Sequence, residues 1–305
     1  MLNLRYDYIS CVTKSEQISW KLDDLFPVTT KLRFDKAHMP DGLVSIGKLS
    51  ALSAAEKLKL NQIRGNSYMN IFGFVEEYII AQAVQHAEAE MFGNHDAIRA
   101  LLRFGEEEVK HQTLFKRYSQ AFNRDFGTAC GVLDNAAEVA RIVLSKSPLA
   151  AMLMTTHIEL MTQHHYVSAV RDSHDLDDKC AAILKHHWLE ESQHARIDIL
   201  ELDKLADQVG AEGVAKAYDD YISIVDAFAG MLDKQVDMDV VSLEVSINRK
   251  LTDPERREIV AVQRQSYRHT LLQNGMQDRT FDEIARDLSP SAHETLRQRA
   301  ASLIA

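Results

Sequence analysis

The sequence predicts an all-α protein. Its 305 residues include only 12 glycines and 5 prolines, the two residues that most often interrupt helices. Apolar residues recur at helical spacing over long stretches, whereas strand-like alternation of useful length does not occur. With 46% hydrophobic residues, the chain can bury a substantial core. We therefore expect a single domain of long helices joined by short connections.

The first 50 residues depart from this helical pattern. They contain Pro27, Pro40 and several short aromatic segments, which favour an irregular arm with a turn or two of helix. The opening segment MLNLRYDYIS lacks the basic and then apolar pattern of a signal peptide. No function follows from this arm.

Residues 51–210 carry the strongest helical signals. Ser53 and Glu56 fit a capping box at the start of a long helix. Pro148 follows Ser147 at another start, because proline is tolerated in the first helical turn. The predicted helices cover about residues 54–91, 95–122, 148–172 and 176–208, with a shorter helix that begins at Asp134. We expect this segment to form a helical bundle that ends at Gly210.

Residues 211–305 predict further helices that pack on the bundle. Capping boxes are expected at Thr252 with Glu255, at Thr280 with Glu283, and at Ser291 with Glu294. The corresponding helices cover about residues 213–246, 253–274 and 281–303.

Composition narrows the class of function. A formal net charge of −10 disfavours a nucleic-acid binder, because no basic face is evident to neutralise phosphates. No apolar run approaches the roughly 18 to 20 residues of a membrane span. Cys11, Cys130 and Cys180 are far apart and outside any CxxC pattern, so we expect reduced thiols. The chain is expected to be a cytoplasmic protein that binds neither nucleic acid nor membrane, with a homodimer as one possible assembly.

Two ExxH motifs carry the chemistry. Glu108-Val-Lys-His111 and Glu191-Ser-Gln-His194 each place a carboxylate and an imidazole three residues apart. Residues at this spacing lie on one face of a helix, so each pair can face one metal centre.

A further glutamate precedes each motif on the preceding helix. Glu77 lies 31 residues before Glu108, and Glu159 lies 32 residues before Glu191. In an antiparallel pair with a short loop, both residues sit about 15 residues from the turn, roughly 22 Å, and therefore at the same level. One Glu from each of two helices and ExxH from each of the other two is the ligand set of ferritin-like dimetal proteins. The sequence thus predicts a ferritin-like four-helix bundle core with additional N- and C-terminal helices.

The predicted ligands favour two iron ions, with a mixed Fe/Mn pair as an alternative. Four carboxylates and two imidazoles suit octahedral, borderline-hard cations, whereas structural zinc would favour cysteine. Two ferrous ions can supply the two electrons that reduce dioxygen. The expected chemistry is therefore oxidation with dioxygen as co-substrate.

His187 is a candidate third imidazole. His187, Glu191 and His194 lie at positions i, i+4 and i+7, within about 40° around the helix. By the same geometry His186 and Glu190 point elsewhere.

The pattern His187-Trp-Leu-Glu-Glu191-Ser-Gln-His194 resembles the p-aminobenzoate N-oxygenase (AurF-type) family of ferritin-like diiron oxygenases over about residues 65–205. The resemblance implies a diiron centre that activates dioxygen and oxidises an amine nitrogen of a small organic substrate. It favours Glu77 over the neighbouring Glu76 as the first ligand, because the family sequence continues similarly after it. The ligands implied are Glu77, Glu108, His111, Glu159, His187, Glu191 and His194.

Other interpretations stay open at this point. The same ligands serve oxidases and C–C or C–H cleaving enzymes, and also ferritin-like proteins that bind iron or scavenge peroxide. No flavin, ferredoxin or nicotinamide motif occurs, so electrons must come from an external donor or from the substrate. Asp198, one turn after His194, either accepts a hydrogen bond from that histidine or is a solvated aspartate.

Overall fold

The computed structural model describes residues 6–304 and shows an all-α protein. Within these residues no β-strand occurs, although Ala37 and Leu176 form an isolated bridge. The α-helices are α1 (Tyr8–Gln17), α2 (Leu22–Leu25), α3 (Asp41–Val44), α4 (Ala54–Ala89), α5 (His95–Asp125), α6 (Ala136–Leu144), α7 (Pro148–His165), α8 (Asp178–Ser246), α9 (Asp253–Arg268), α10 (Asn274–Met276), α11 (Arg279–Leu288) and α12 (Pro290–Ser302). Residues Ile46–Lys48 form a 3₁₀ turn, and Tyr166–Val170 and His269–Gln273 are π-helical.

Helices α4, α5, α7 and α8 form the core. Helix α4 packs along α5, and α7 packs along α8, so the chain builds two helical hairpins. The hairpins meet where α8 contacts α4 and α5. The predicted all-α fold, with a helical bundle at its centre, is confirmed.

The N-terminal arm is more ordered than the sequence suggested. Asp7 and Ser10 form a capping box that starts the ten-residue helix α1. Helix α1 packs against α5 and α8 through buried side chains that include Cys11 and Val12. The sequence predicted only a turn or two of helix in this arm, because a ten-residue helix shows little periodicity. The first five residues of the predicted arm, where the signal-peptide pattern would begin, lie outside the described residues.

Gly210 separates two segments of α8. Its φ of 65° and ψ of −176° are non-helical, and glycine adopts this backbone without steric cost. The predicted helices 176–208 and 213–246 therefore meet directly at this residue, without a loop between them. The second segment extends the bundle and supports the C-terminal helices.

The C-terminal prediction needs two corrections. The helix expected over 281–303 is divided at Ser289, because Pro290 lacks an N–H and starts a new helix. Asp278 caps α11 and Ser289 caps α12, in place of the predicted boxes at Thr280 and Ser291. The predicted boxes that start α4 and α9 are both present.

None of the helices in residues 6–304 combines the length and the apolar character needed to cross a membrane. The three cysteines in this part of the chain are unpaired, as predicted: Cys11 and Cys180 are buried, and Cys130 is partly buried.

Candidate metal centre

The bundle interior holds a cluster of buried carboxylates and imidazoles. Each of its members is at most 2% exposed, which is unusual for ionisable side chains. The members are Glu76, Glu108, His111, Glu159, His187, Glu191 and His194. Six of these residues were predicted from the sequence, and all four core helices contribute at least one of them.

The prediction that Glu77 belongs to this cluster was wrong. Glu77 is exposed, whereas Glu76 is buried and lies 3.1 Å from Nε2 of His187. Adjacent residues of a helix point about 100° apart, so only one of the two can face the interior. Tertiary packing selects Glu76.

The cluster contains two overlapping groups that could each hold a metal ion. In each group four ligand atoms lie within 4.8 Å of one another. His111 and Glu191 belong to both groups, so they lie between the two positions. Glu76 and His187 complete one group, and Glu108 and His194 complete the other.

The imidazoles of both ExxH motifs direct Nδ1 into the cluster. Nδ1 of His194 lies 2.6 Å from Glu191 Oε2 and 2.9 Å from Glu108 Oε1. Nδ1 of His111 lies 3.3 Å from Glu191 Oε1 and 3.8 Å from Glu108 Oε2. The two motifs therefore face each other across one shared space.

The opposite nitrogens are held by two further carboxylates in a crossed arrangement. Nε2 of His111 lies 2.9 Å from Glu190 on the other ExxH helix. Nε2 of His194 lies 2.9 Å from Glu107, again on the opposite helix. When each Nε2–H donates to its carboxylate, Nδ1 is left with a lone pair directed at the shared space. Both rings are thus oriented as metal-bound histidines usually are.

Sequence reasoning missed these two carboxylates. Glu107 belongs to an acidic triplet whose simplest interpretation is a solvated face, and Glu190 was expected to point away. Both are buried, at 3% and 0% exposure, whereas Glu106 of the same triplet is exposed. The available signal was the doubled glutamate, since each motif is preceded by a second one in the pattern Glu-Glu-x-x-His.

The N-terminal arm packs against the outer side of Glu107 and His111. The hydroxyl of Ser15 in α1 donates to Glu107 at 2.6 Å, and Arg103 Nε donates to that hydroxyl at 2.8 Å. The Trp20 ring stacks on His111 with centroids 6.3 Å apart and an interplanar angle of 9°. Lys110 lies over the same Trp20 ring at 4.2 Å. The arm therefore completes the surroundings of the site, a role that the sequence did not indicate.

Glu159 lies beside the two four-atom groups. The carboxylate of Glu191 faces its carboxyl group, and Glu159 belongs to neither group of four. Burial, and then the charge of Glu191, raises the pKa of Glu159 well above its usual value. A carboxyl group that keeps a proton because a carboxylate faces it can exchange that proton for a cation.

The donor atoms fit a bound cation. Several buried oxygen and nitrogen atoms of the cluster have no hydrogen-bond partner: Glu76 Oε2, both oxygens of Glu108, His111 Nδ1 and Glu159 Oε2. A buried polar atom without a partner costs free energy, about 1 to 3 kcal/mol each. Oxygen and imidazole nitrogen together, without sulfur, suit iron or manganese. The residues present therefore fit two such ions.

The pKa values of two further members show that the cluster retains protons. Burial alone would lower the pKa of His187, yet the Glu191 and Glu76 carboxylates raise it to about 9. Burial, and then the charge of Glu108, raises the pKa of Glu76 to about 8. Without metal, protons hold these like charges together.

Asp198 has neither of the two roles considered for it. It is 0% exposed, so it is not solvated, and Glu107 accepts the hydrogen bond from His194 instead. Burial raises the pKa of Asp198 well above the usual value. Neither of its oxygens has a hydrogen-bond partner among the described residues.

Comparison with known proteins gives fold-level likeness only. No family model matches the chain, and no curated protein matches it. Among solved structures, a mutant R2-like ligand-binding oxidase with an anaerobically reconstituted Mn/Fe cofactor is 15% identical, with a TM-score of 0.45, covering 99% of this chain and 94% of that one. An R2-like ligand-binding oxidase with an aerobically reconstituted metal cofactor after photoconversion is 14% identical, with a TM-score of 0.45, covering 87% and 93%. Scores this low carry no argument about function, which therefore rests on the site.

Proposed function

We propose that this chain is a non-haem dimetal oxidoreductase that uses dioxygen to oxidise a small organic substrate. The observation that carries the proposal is the pair of overlapping ligand groups that share His111 and Glu191. A carboxylate and an imidazole that are common to both four-atom groups place the two positions close together, as in a dinuclear centre. The two oxygens of Glu191 could serve both ions, whereas His111 could serve only one of them through Nδ1, because its Nε2–H is held by Glu190. The bound ions are two irons, or one iron and one manganese.

The protein would hold the ions with seven side chains. Glu76 and His187 would hold one ion, and Glu108 and His194 the other. Glu191 could serve both ions, His111 could serve either one through Nδ1, and Glu159 lies beside Glu191. When bound, two reduced ions would supply two electrons to dioxygen.

The chain's own residues orient and shield this centre. Glu107 and Glu190 keep the Nδ1 lone pairs of His194 and His111 directed inwards. Phe72 and Phe115 lie edge-on to the His187 ring, with centroids at 5.2 and 5.1 Å. These aromatic rings exclude water from that side, which strengthens electrostatic interactions within the site.

The resemblance to the N-oxygenase family supports an amine nitrogen as the atom oxidised. The His187-x-x-x-Glu191-x-x-His194 spacing supports this finer proposal, and His187 lies within one ligand group. Electrons beyond those of the substrate would come from an external donor protein.

The first test is metal content and oxygen uptake. We expect about two metal ions per chain after anaerobic loading with Fe²⁺, and rapid oxygen consumption by the loaded protein. Glu191→Ala should lose both ions, since Glu191 belongs to both groups. Wild-type protein that binds no stoichiometric iron or manganese would contradict the proposal.

The amine preference needs its own experiment. The loaded protein, with a chemical reductant and ¹⁸O₂, is incubated with arylamines and with matched phenols. Label in a hydroxylamine, nitroso or nitro product supports N-oxygenation. Label or oxidation at carbon alone would replace it with the alternative of a diiron oxidase or a C–H or C–C cleaving enzyme.

A further inference from the structure

A cavity of about 310 Å³ lies between α4, α5 and residues 133–136. It shares Phe115 with the surroundings of His187. Its lining includes the apolar side chains of Met69, Phe74, Phe115 and Leu133. This volume is within the range of small-molecule sites, which are mostly apolar with a few polar groups.

Phe115 belongs to both the cavity and the surroundings of the cluster. It lines the cavity, it is 2% exposed, and its ring lies edge-on to His187 at 5.1 Å. One aromatic side chain therefore separates the cavity from an imidazole of the first ligand group. Gly73 lines the same cavity and packs next to Phe115, because a Cβ at Gly73 would lie 3.5 Å from Phe115 Cβ.

We propose that this cavity binds the organic substrate, and that displacement of Phe115 opens the way from it to the His187 side of the metal centre. That the occupant is a substrate rests on the proposed function. The cavity itself, and its proximity to His187, do not depend on it.

The charges at the rim indicate the class of molecule. Glu77 and Asp134 line the cavity and carry carboxylates, whereas Lys116 supplies one ammonium group. The rim therefore has a net negative charge, which repels anions and attracts cations. Together with the apolar lining, this favours a small, mainly apolar molecule that is neutral or cationic and has no free carboxylate.

Gly73→Leu fills the cavity from the α4 side without changing a ligand. The new Cβ meets Phe115 at an ordinary van der Waals distance, and leucine favours a helix more than glycine does. Gly230→Leu is the matched control, because Gly230 lies in α8, is exposed, and has nothing within 4 Å of the new Cβ. Ser119→Phe narrows the same cavity from α5 and gives an independent second variant.

The binding test uses three probes that share a benzene ring: benzyl alcohol, benzylamine and benzoate. Dissociation constants are measured by calorimetry on both metal-free and metal-loaded protein. We expect benzyl alcohol and benzylamine to bind at least threefold more tightly than benzoate. Gly73→Leu and Ser119→Phe should each weaken this binding at least tenfold, whereas Gly230→Leu should not change it.

Two outcomes would overturn the inference. One is unchanged probe binding in both folded cavity variants, and the other is benzoate that binds as tightly as benzylamine. Probe binding is also measured on the metal-free protein, so these two outcomes do not depend on the proposed function. Failure of the proposed function would instead appear as a protein that binds no metal but still binds the probes.

Passage past Phe115 is tested with azide. Its entry into the oxidised, metal-loaded protein is followed by visible absorption. Phe115→Leu should speed azide binding at least threefold, and Gly73→Leu should slow it relative to Gly230→Leu. Equal rates in all three variants would contradict the route.

Discussion

Glu107 of α5 lies 2.9 Å from Nε2 of His194 in α8, while Nδ1 of the same imidazole faces Glu108 and Glu191. The residue that orients one histidine thus comes from the helix that carries the other ExxH motif. Glu190 and His111 form the reciprocal contact. Each motif is therefore completed by its partner helix, which couples assembly of the bundle to the geometry of the centre.

Removal of the Glu107 carboxylate, which orients His194, should weaken metal binding. Glu107→Gln keeps the shape of the side chain but removes the charge that holds the Nε2–H of His194 and its orientation. Substitution of such groups around metal-bound histidines typically costs 10- to 100-fold in metal affinity. We expect a loss in that range, measured by competition with a chelator of known affinity.

Glu106→Gln is the matched control for this experiment. Glu106 precedes Glu107 on the same helix but is exposed, so its metal affinity should equal that of the wild type. Equal affinities in Glu107→Gln and Glu106→Gln would show that the crossed contact does not position the histidine.

Two isosteric substitutions can test whether Glu76 or Glu77 binds metal. Glu76→Gln should lower the bound metal from about two ions per chain to about one, because Glu76 belongs to only one ligand group. Glu77→Gln should leave metal content unchanged, because Glu77 is exposed. Metal per chain is measured after anaerobic loading and desalting. The reverse result, with loss only in Glu77→Gln, would contradict the assignment.

The metal-free protein should lose stability as pH rises. The pKa of Glu76 is about 8 against its usual 4.5, and the pKa of His187 is about 9 against 6.5. Both groups bind protons more tightly in the folded state, so their stabilising effect is complete below the unfolded pKa and is lost through the folded pKa. We expect the melting temperature to fall from about pH 4.5 to 9, most steeply between about 6.5 and 8, where both groups contribute.

Calorimetry of the metal-free protein across this range provides the measurement. Glu76→Gln removes one of the two titrating groups and should make the melting temperature depend less on pH. A melting temperature that rises with pH between 6.5 and 9 would show that protons do not hold the cluster together.

A second buried polar network should control stability without touching the metal centre. Asp239 accepts hydrogen bonds from Ser67 and Tyr267 at 2.6 Å and from Gln235 at 2.8 Å. Arg64 is 2% exposed and lies over the Tyr267 ring, where its charge is attracted to Asp239. Asp239→Ala should lower the free energy of unfolding by about 3 to 5 kcal/mol, because it leaves the buried charge of Arg64 without compensation.

Chemical denaturation measures this loss, with Asp237→Ala as the control. Asp237 lies two residues away on the same helix and is exposed, so its substitution should change stability by no more than about 0.5 kcal/mol. Metal content should be unchanged in both variants. A loss below about 1 kcal/mol in Asp239→Ala would show that the network is not strongly coupled.

The sequence by itself determined the helical class, the long helices and most of the cluster. Helix starts such as Ser53 with Glu56 are local, since hydrogen bonds within four residues decide them. The spacing from Glu to ExxH also predicts which residues lie at the same level in the folded protein, because it reflects the length of a helical hairpin. Glu108, His111, Glu159, Glu191 and His194 could therefore be predicted from the sequence, and His187 from its position one turn before Glu191.

Tertiary structure alone decided the rest. Whether Glu76 or Glu77 faces inwards depends on how α4 is rotated against its neighbours, and both choices fit the local pattern. The partners Glu107 with His194 and Glu190 with His111 come from different helices, so no spacing within one helix reveals them. The cavity beside Phe115 likewise exists only between packed helices. Local hydrogen bonding and periodicity are encoded along the chain, whereas rotation, burial and pairing between helices arise from packing of the whole core.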